Sequence, residues 1–435
     1  MSEQERLQEA VNLILNSDDR AVAYPPTWQD DVRVEYFYRR NSLLVRTADA
    51  DQVSETLRGI LAPGDESAQR EVGIPQVPVI AGVVRLEWAG DELSVPEILE
   101  QLDQQHGAGT ATPVHGLSLC PGSGHPCPAT EPGTVPTRSY GPVPPVSDGI
   151  CCGTRGWDGD GVMVAVVDGG LVKDQPSPWP WMAGVDGDDD PSAAKIIEPY
   201  AGHGTFVAGC VRCVAPHASV YVKRAAQYAG FVWEDEVVRR MVEVMDQGPD
   251  IIVCEFAGYT RLHLPMLTFS SFYDEYLRQV NVVVVAPAGN DTSRLPNYPA
   301  AYSWAVGVGA LSANGAHLAG FSNYGGWVDV YAPGEDLVNA FAVGEYKTIH
   351  EHPQETRRFT GLCSWSGTSF STPLVAGMIA ARMSATGENA PQATEAVLRL
   401  ARSQPVPGVG PVVFPHQVCD KPREGCHHRC DCACG

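Results

Sequence analysis

Between residues 157 and 405, short apolar runs alternate with segments of helical spacing, and no other feature of the sequence narrows the fold so far. Residues 162–167, 220–222, 251–254, 282–285 and 304–308 are continuous apolar runs with no polar alternation, so both faces of each strand must be covered. Helical patterns over 234–246 and 267–280 lie between them, as crossover connections require. The expectation is an α/β domain with a doubly wound, mostly parallel sheet. Hydrophobic residues make up 44% of the 435 and charged residues 19%, enough apolar mass for a core of that size. Asp and Glu number 52 against 30 Lys and Arg, a formal charge of -22. That balance argues against nucleic-acid and membrane partners, which select a basic surface. No run approaches the ~20 apolar residues needed to cross a bilayer.

The flanks differ in composition. Residues 1–118 read as a small α+β domain in the order β-β-α-β-α-β. Strands over 32–38 and 42–47 are expected to pair around a turn at Arg40-Asn41, and a helix over 52–61 takes Asp51 as its N-cap. A strand over 83–88 follows. Ser94-Val-Pro-Glu97 then opens a second helix as a capping box, running to Gln105, and 112–119 forms a last strand. The first 16 residues read as an amphipathic helix and not as an export signal. Together with 13 cysteines, an odd number, this places the chain in a reducing, cytoplasmic setting. Residues 119–156 are a linker rich in Pro and Gly, expected to be extended and protease-accessible. Residues 406–435 form a tail rich in Cys and His. Residues 341–358 read as a surface insert.

Three motifs carry chemistry. An apolar strand ends at Asp168-Gly-Gly, where glycines permit a sharp turn and where α/β sheets open their functional crevice. Gly202-His203-Gly-Thr opens a helix between small residues. Ser366-Gly-Thr-Ser369-Phe-Ser-Thr-Pro373 sets a serine in the first turn of an apolar helix, whose positive end favours negative charge beside it. Each alone is compatible with a turn, a buried histidine or a cap. Aspartate, histidine and serine in this order reproduce an orienter, a base and a nucleophile.

Residues 157–405 resemble the subtilisin-like serine peptidases, the subtilases. Further segments carry the resemblance: Val285-Ala-Pro-Ala-Gly-Asn290, Leu295-Pro-Asn-Tyr-Pro-Ala300, Phe321-Ser-Asn-Tyr-Gly325 and Val328-Asp-Val-Tyr-Ala-Pro-Gly334. It implies a serine endopeptidase in which Asp168 supports His203, His203 activates Ser369, and Asn290 stabilises the oxyanion. It also implies substrate-backbone contacts at Phe256, Ala257 and Gly258, and at Ala286, Pro287 and Ala288. Phe206 and Cys254-Glu-Phe-Ala-Gly258 depart from the family pattern, and Glu255 is expected to alter preference for charged residues. By the same resemblance residues 1–118 are a prodomain that inhibits the cleft and is cleaved off; the other reading is an unrelated recognition domain.

The chemistry requires no cofactor. The acidic loop at 186–190, with Asp158 and Asp160, reads either as a calcium site or as a solvated loop. In the tail, Cys426, His427, Cys430, Cys432 and Cys434 are candidate zinc ligands, against a redox-sensitive or unstructured tail. The implied partner is a protein or peptide substrate. A regulatory or binding protein on the same fold, with a metal- or redox-responsive tail, is the competing function. An α/β-hydrolase esterase is excluded, because no GxSxG elbow is present.

Overall fold

A computed structural model describes residues 3–29, 34–64, 66–90, 92–119, 129–135, 156–173, 179–191, 195–226, 230–349 and 354–418. The first part of the chain builds α1 (Glu3–Ser17), β1 (Ala21–Tyr24), β2 (Tyr36–Arg46), α2 (Ala50–Leu61), α3 (Glu66–Glu71), β3 (Gln76–Ile80), β4 (Val83–Glu87), α4 (Val95–His106) and β5 (Ala111–Ser118). All the strands pair antiparallel, with β2 between β4 and β5 and β1 also on β2. Leu43 and Val45 pack under α2 and α4 with Val53, Leu57, Ile98 and Leu99, while Leu44 points to the opposite face. This is the period of two expected of a half-buried sheet.

Two local expectations are corrected. The turn at Arg40-Asn41 lies inside one continuous strand, β2. Asn41 takes φ 52 and the register against β5 slips between Tyr38 and Leu43, so the chain kinks and continues instead of reversing. The cap of α2 is Asp49, with no side-chain cap bond, and Asp51 sits in the first turn, where its charge favours the positive helix end. The capping box of α4 forms, with Glu97 Oε2 accepting from the Ser94 N–H at 2.8 Å.

The rest of the chain adds β6 (Met163–Asp168), β7 (Asp186–Gly187), β8 (Ile196–Ile197), α5 (His203–Val214), β9 (Ser219–Arg224), β10 (Phe231–Trp233), α6 (Glu234–Met245), β11 (Ile251–Cys254), α7 (Leu267–Phe272), β12 (Val283–Pro287), β13 (Ala305–Leu311), β14 (Val330–Pro333), β15 (Leu337–Lys347), β16 (Thr356–Trp365), α8 (Thr368–Thr386) and α9 (Ala390–Ser403). Seven strands form a parallel sheet in the order β14-β13-β12-β11-β6-β9-β7. One face carries α5 and α8, through Phe206, Val207, Val375 and Ile379; the other carries α6 and α7, through Val237, Met241 and Phe269. Chain direction through the sheet reverses at β6, which has β9 on one side and β11 on the other, and such a reversal opens a crevice at the carboxyl ends.

Segment 341–358 is not a surface insert in full. β15 and β16 form a long antiparallel hairpin, and Phe341, Tyr346 and Phe359 are each 3% exposed, packed toward Trp365 and the core. Within the expected linker, Gly133 bridges Ser364, Glu131 is buried and accepts from Tyr346 Oη at 2.6 Å, and Trp365 Nε1 donates to the Thr130 carbonyl. These residues are anchored on the hairpin and not extended in solvent. Among the described residues no helix is long and apolar enough to cross a membrane.

The two sheets meet. β10 pairs antiparallel with β5, so a strand of the second part completes the sheet of the first. Just beyond β10, buried Glu234 accepts from the His115 backbone N–H at 2.9 Å and bonds its Nδ1 at 2.6 Å, with Thr268 Oγ1 on the other oxygen. Because the Arg261 N–H donates to His115 Nε2, the ring is neutral with its proton on Nδ1.

Candidate active site

Asp168 is the last residue of β6 and is fully buried. His203 opens α5 immediately after Gly202, which holds φ 77, a left-handed conformation that suits glycine. A Cβ on Gly202 would also come within 2.8 Å of the Phe341 ring, and one on Gly204 would collide with the Gly170 carbonyl. The Gly-His-Gly pattern thus lets a helix start flush against the turn that carries Asp168. The His203 Nδ1 lies 2.8 Å from Asp168 Oδ2 and 3.0 Å from Oδ1, and its ring meets Trp365 edge-on and lies tilted against Phe370.

Ser369 occupies the first turn of α8, 1% exposed. Its hydroxyl donates to the Leu119 carbonyl at 3.3 Å, and no hydrogen bond joins it to His203, whose Nε2 has no partner. Asn290 follows β12, with its Oδ1 accepting from the Thr368 N–H at 2.9 Å and from Thr368 Oγ1 at 3.0 Å. Its amide is thereby fixed one residue from Ser369, with the NH2 end turned away from Thr368.

A stretch of main chain already lies in this crevice. Leu119 donates from its N–H to the Gly230 carbonyl at 2.8 Å, and Ser118 exchanges both backbone bonds with Ala257, at 3.1 and 3.0 Å. Residues 117–119 therefore sit as an antiparallel strand between two segments and end at the Ser369 hydroxyl. Gly258 permits the close approach: a Cβ there would stand 2.6 Å from the Leu117 side chain. Of the expected contact residues, Ala257 faces this strand through its backbone, and Phe256 turns its side chain into the core with α6 and α7. Ala286 and Pro287 lie within β12, paired to Gly307 and Val308, and Ala288 bonds the Val308 carbonyl. The sequence did not single out Leu119 or Gly230; the strand expected over 112–119 was the one available sign.

Glu255 lies at the carboxyl end of β11. It is wholly buried and neither carboxyl oxygen has a hydrogen-bond partner. Burial pushes it far above the ordinary carboxylate range, the neighbouring Asp168 adds to that, and the nearby Ser369 hydroxyl opposes it. Its carboxyl faces the catalytic face, so the expectation that it meets charged substrate residues is corrected.

The acidic loop does not gather into a cation cage. Asp188 takes Tyr221, the Arg224 N–H and Lys223; Asp186 takes Lys173; Asp190 caps Gly202; and Asp158 faces His217. Among the described residues no three His, Cys, Asp or Glu side chains converge as a metal site. Cys426, His427, Cys430, Cys432 and Cys434 lie outside the described residues.

With this geometry in place, the family model of the subtilases matches residues 159–406. An intracellular serine protease of Paenibacillus polymyxa is 30% identical over 51% of this chain and 66% of its own length. Thermitase of Thermoactinomyces vulgaris is 29% identical over 54% and 80%, respectively. The chain thus spans just under two thirds of the first of these relatives. Among solved structures, fervidolysin from Fervidobacterium pennivorans, a keratinolytic enzyme related to subtilisin, superposes with a TM-score of 0.58 at 18% identity. That match covers 88% of this chain and 61% of that one, and it speaks for the fold.

Proposed function

This chain belongs to the subtilase family of serine endopeptidases, and we propose that it hydrolyses peptide bonds through Asp168, His203, Ser369 and Asn290. The carrying observation is that one crevice holds the Asp168–His203 pair and a Ser369 hydroxyl set against a main-chain carbonyl. Asp168 accepts from Nδ1–H, which leaves Nε2 as the basic nitrogen and stabilises the imidazolium once it forms. His203 takes the Ser369 proton as the oxygen attacks the scissile carbonyl, then returns it to the leaving amine. In the present arrangement the hydroxyl is turned to Leu119, and rotation about its Cα–Cβ bond is needed to meet the imidazole; such bonds are often unmade before substrate binds productively. The NH2 group of Asn290 and the Ser369 N–H meet the oxyanion.

Substrates bind as an extended strand, pairing with Ala257 on one side and Gly230 on the other, as residues 117–119 do. Protein and peptide substrates fit that geometry. The same occupancy supports an inhibitory role for residues 1–118, released by self-cleavage at or just beyond Leu119. Free Cys210, Cys213, Cys254 and Cys363 suit a reducing compartment.

The test is covalent labelling with a fluorophosphonate, which reacts with an activated serine. Labelling at Ser369, lost in Ser369→Ala and reduced by orders of magnitude in His203→Ala, is the expected result. A folded protein that takes no label at Ser369 after limited proteolysis has released the strand at 117–119 overturns the reading.

A further inference from the structure

Glu255 is a buried acid that the proposed reaction does not use. β11 and β6 run parallel with Cys254 level with Val167, and the Glu255 N–H bonds the Val167 carbonyl at 3.1 Å. Glu255 is therefore level with Asp168 on the adjacent strand. Side chains alternate along both strands: Ile251 and Val253, like Val164 and Val166, face α5 and α8, whereas Cys254 and Val167 face α6 and α7. By this alternation both carboxyls fall on the face that holds His203 and Ser369, about 5 Å apart at the backbone.

The two acids differ in what surrounds them. Asp168 accepts from the Gly169 N–H and from the imidazole, as an ionised carboxylate does. Around Glu255 stand Asp168 from β6, Cys210 from α5, Ser369 from α8 and Cys254 from its own strand, with His203 beyond, tied to Asp168. The Ser369 hydroxyl, the donor beside it, is given to the Leu119 carbonyl, and burial keeps both thiols neutral, with Cys254 pushed up to about 12. Asp168 is then the charge it meets. An unsolvated carboxylate beside a second carboxylate is strongly disfavoured, and such a group keeps its proton.

We propose that Glu255 works as a neutral, protonated carboxyl beside the catalytic residues, and that its ionisation, by placing a second negative charge next to Asp168 and Ser369, ends the reactivity of Ser369 at high pH. This rests on Ser369 being the nucleophile. Attack on a carbonyl builds negative charge beside Ser369, and a fixed like charge at this range in a dry site opposes it by tenfold or more in rate. Glu255 is a positioning residue in this role, acting on Ser369 through its charge state.

The experiment measures the rate of fluorophosphonate labelling of the full chain from about pH 5 to about pH 10, a span that brackets the ordinary histidine range. Wild type is compared with Glu255→Gln and Glu255→Met, which are uncharged throughout. Wild type should lose about tenfold or more in rate on the alkaline side, while both variants keep there the rate they have near neutrality. Melting temperature against pH supplies an independent readout. A proton held in the folded state and lost in the unfolded one makes wild-type stability fall from about pH 4.3 upward, relative to Glu255→Gln. Labelling with superimposable pH profiles in folded wild type and variants overturns this inference alone. Absence of labelling at Ser369 at every pH, also after limited proteolysis has released the strand at 117–119, overturns the nucleophile assignment and this inference with it.

Discussion

Asn290 shows how one amide is asked to do two things. Its oxygen holds the Thr368 backbone and hydroxyl, which fixes the turn entering α8, and its nitrogen end is the donor proposed for the oxyanion. The oxyanion exists only after attack, so an interaction with it appears in kcat and not in substrate affinity. Asn290→Ala should lower kcat by about 10²–10³ with KM changed little. Steady-state kinetics on a peptide substrate check this, and an unchanged kcat would exclude the donor role. Asp168, His203, Asn290 and Ser369 stood out in the sequence as candidates because each sits in a short local pattern of glycines and small residues. Glu255 was visible only as a carboxylate after an apolar run. What it faces is decided by the register of β11 on β6, which joins residues far apart in the chain.

A helix that begins with a catalytic candidate has little freedom in where it begins. α5 starts against the turn after β6, and a Cβ on Gly204 would meet the Gly170 carbonyl, with Asp168 Oδ1 3.2 Å away. Backbone cannot retreat as a flexible side chain would, so Gly204→Ala must shift the helix start away from Asp168. The expected cost is about 1–3 kcal/mol, together with a loss of Ser369 labelling larger than the loss of folded protein. Melting curves and labelling of the soluble fraction separate the two. The crossover units around α5, α6 and α8 were legible for the same reason their strands were: a buried parallel strand is apolar on both faces. The hairpin β15–β16 was not, since its buried Phe359 stands among polar residues and the surface that meets Phe341, Trp365, is remote from it in sequence. β2 misled in the opposite sense. Arg40-Asn41 has the composition of a turn, but pairing with β1, β4 and β5 on either side carries the strand through it.

For the whole molecule, the question is why the first part of the chain should stay on the second. β10 completes the sheet of the first part, Glu234 and His115 bond in full burial, Arg85 pairs with Asp235, and Trp233 Nε1 reaches Asp18. The β10 pairing runs directly into Leu117 and Ser118, and the other contacts lie outside the crevice, so together they hold residues 117–119 in place whether or not the chain is cut beside them. Cleavage near Leu119 would convert one chain into a tight two-part complex, with the new carboxyl end lying against Ser369. Such a complex is self-inhibited until the first part dissociates or is degraded. Two measurements follow from this arrangement. Intact mass of purified wild type should reveal two species divided at or shortly after Leu119, whereas Ser369→Ala gives one full-length mass. On a native sizing column the two wild-type pieces should travel together, and Glu234→Ala, which leaves buried groups without a partner at a cost of about 1–3 kcal/mol, should weaken their association by roughly tenfold or more. A single full-length mass in active wild type would mean that the crevice opens without cleavage. The strand at 117–119 would then be a displaceable plug and not a product of the enzyme's own reaction.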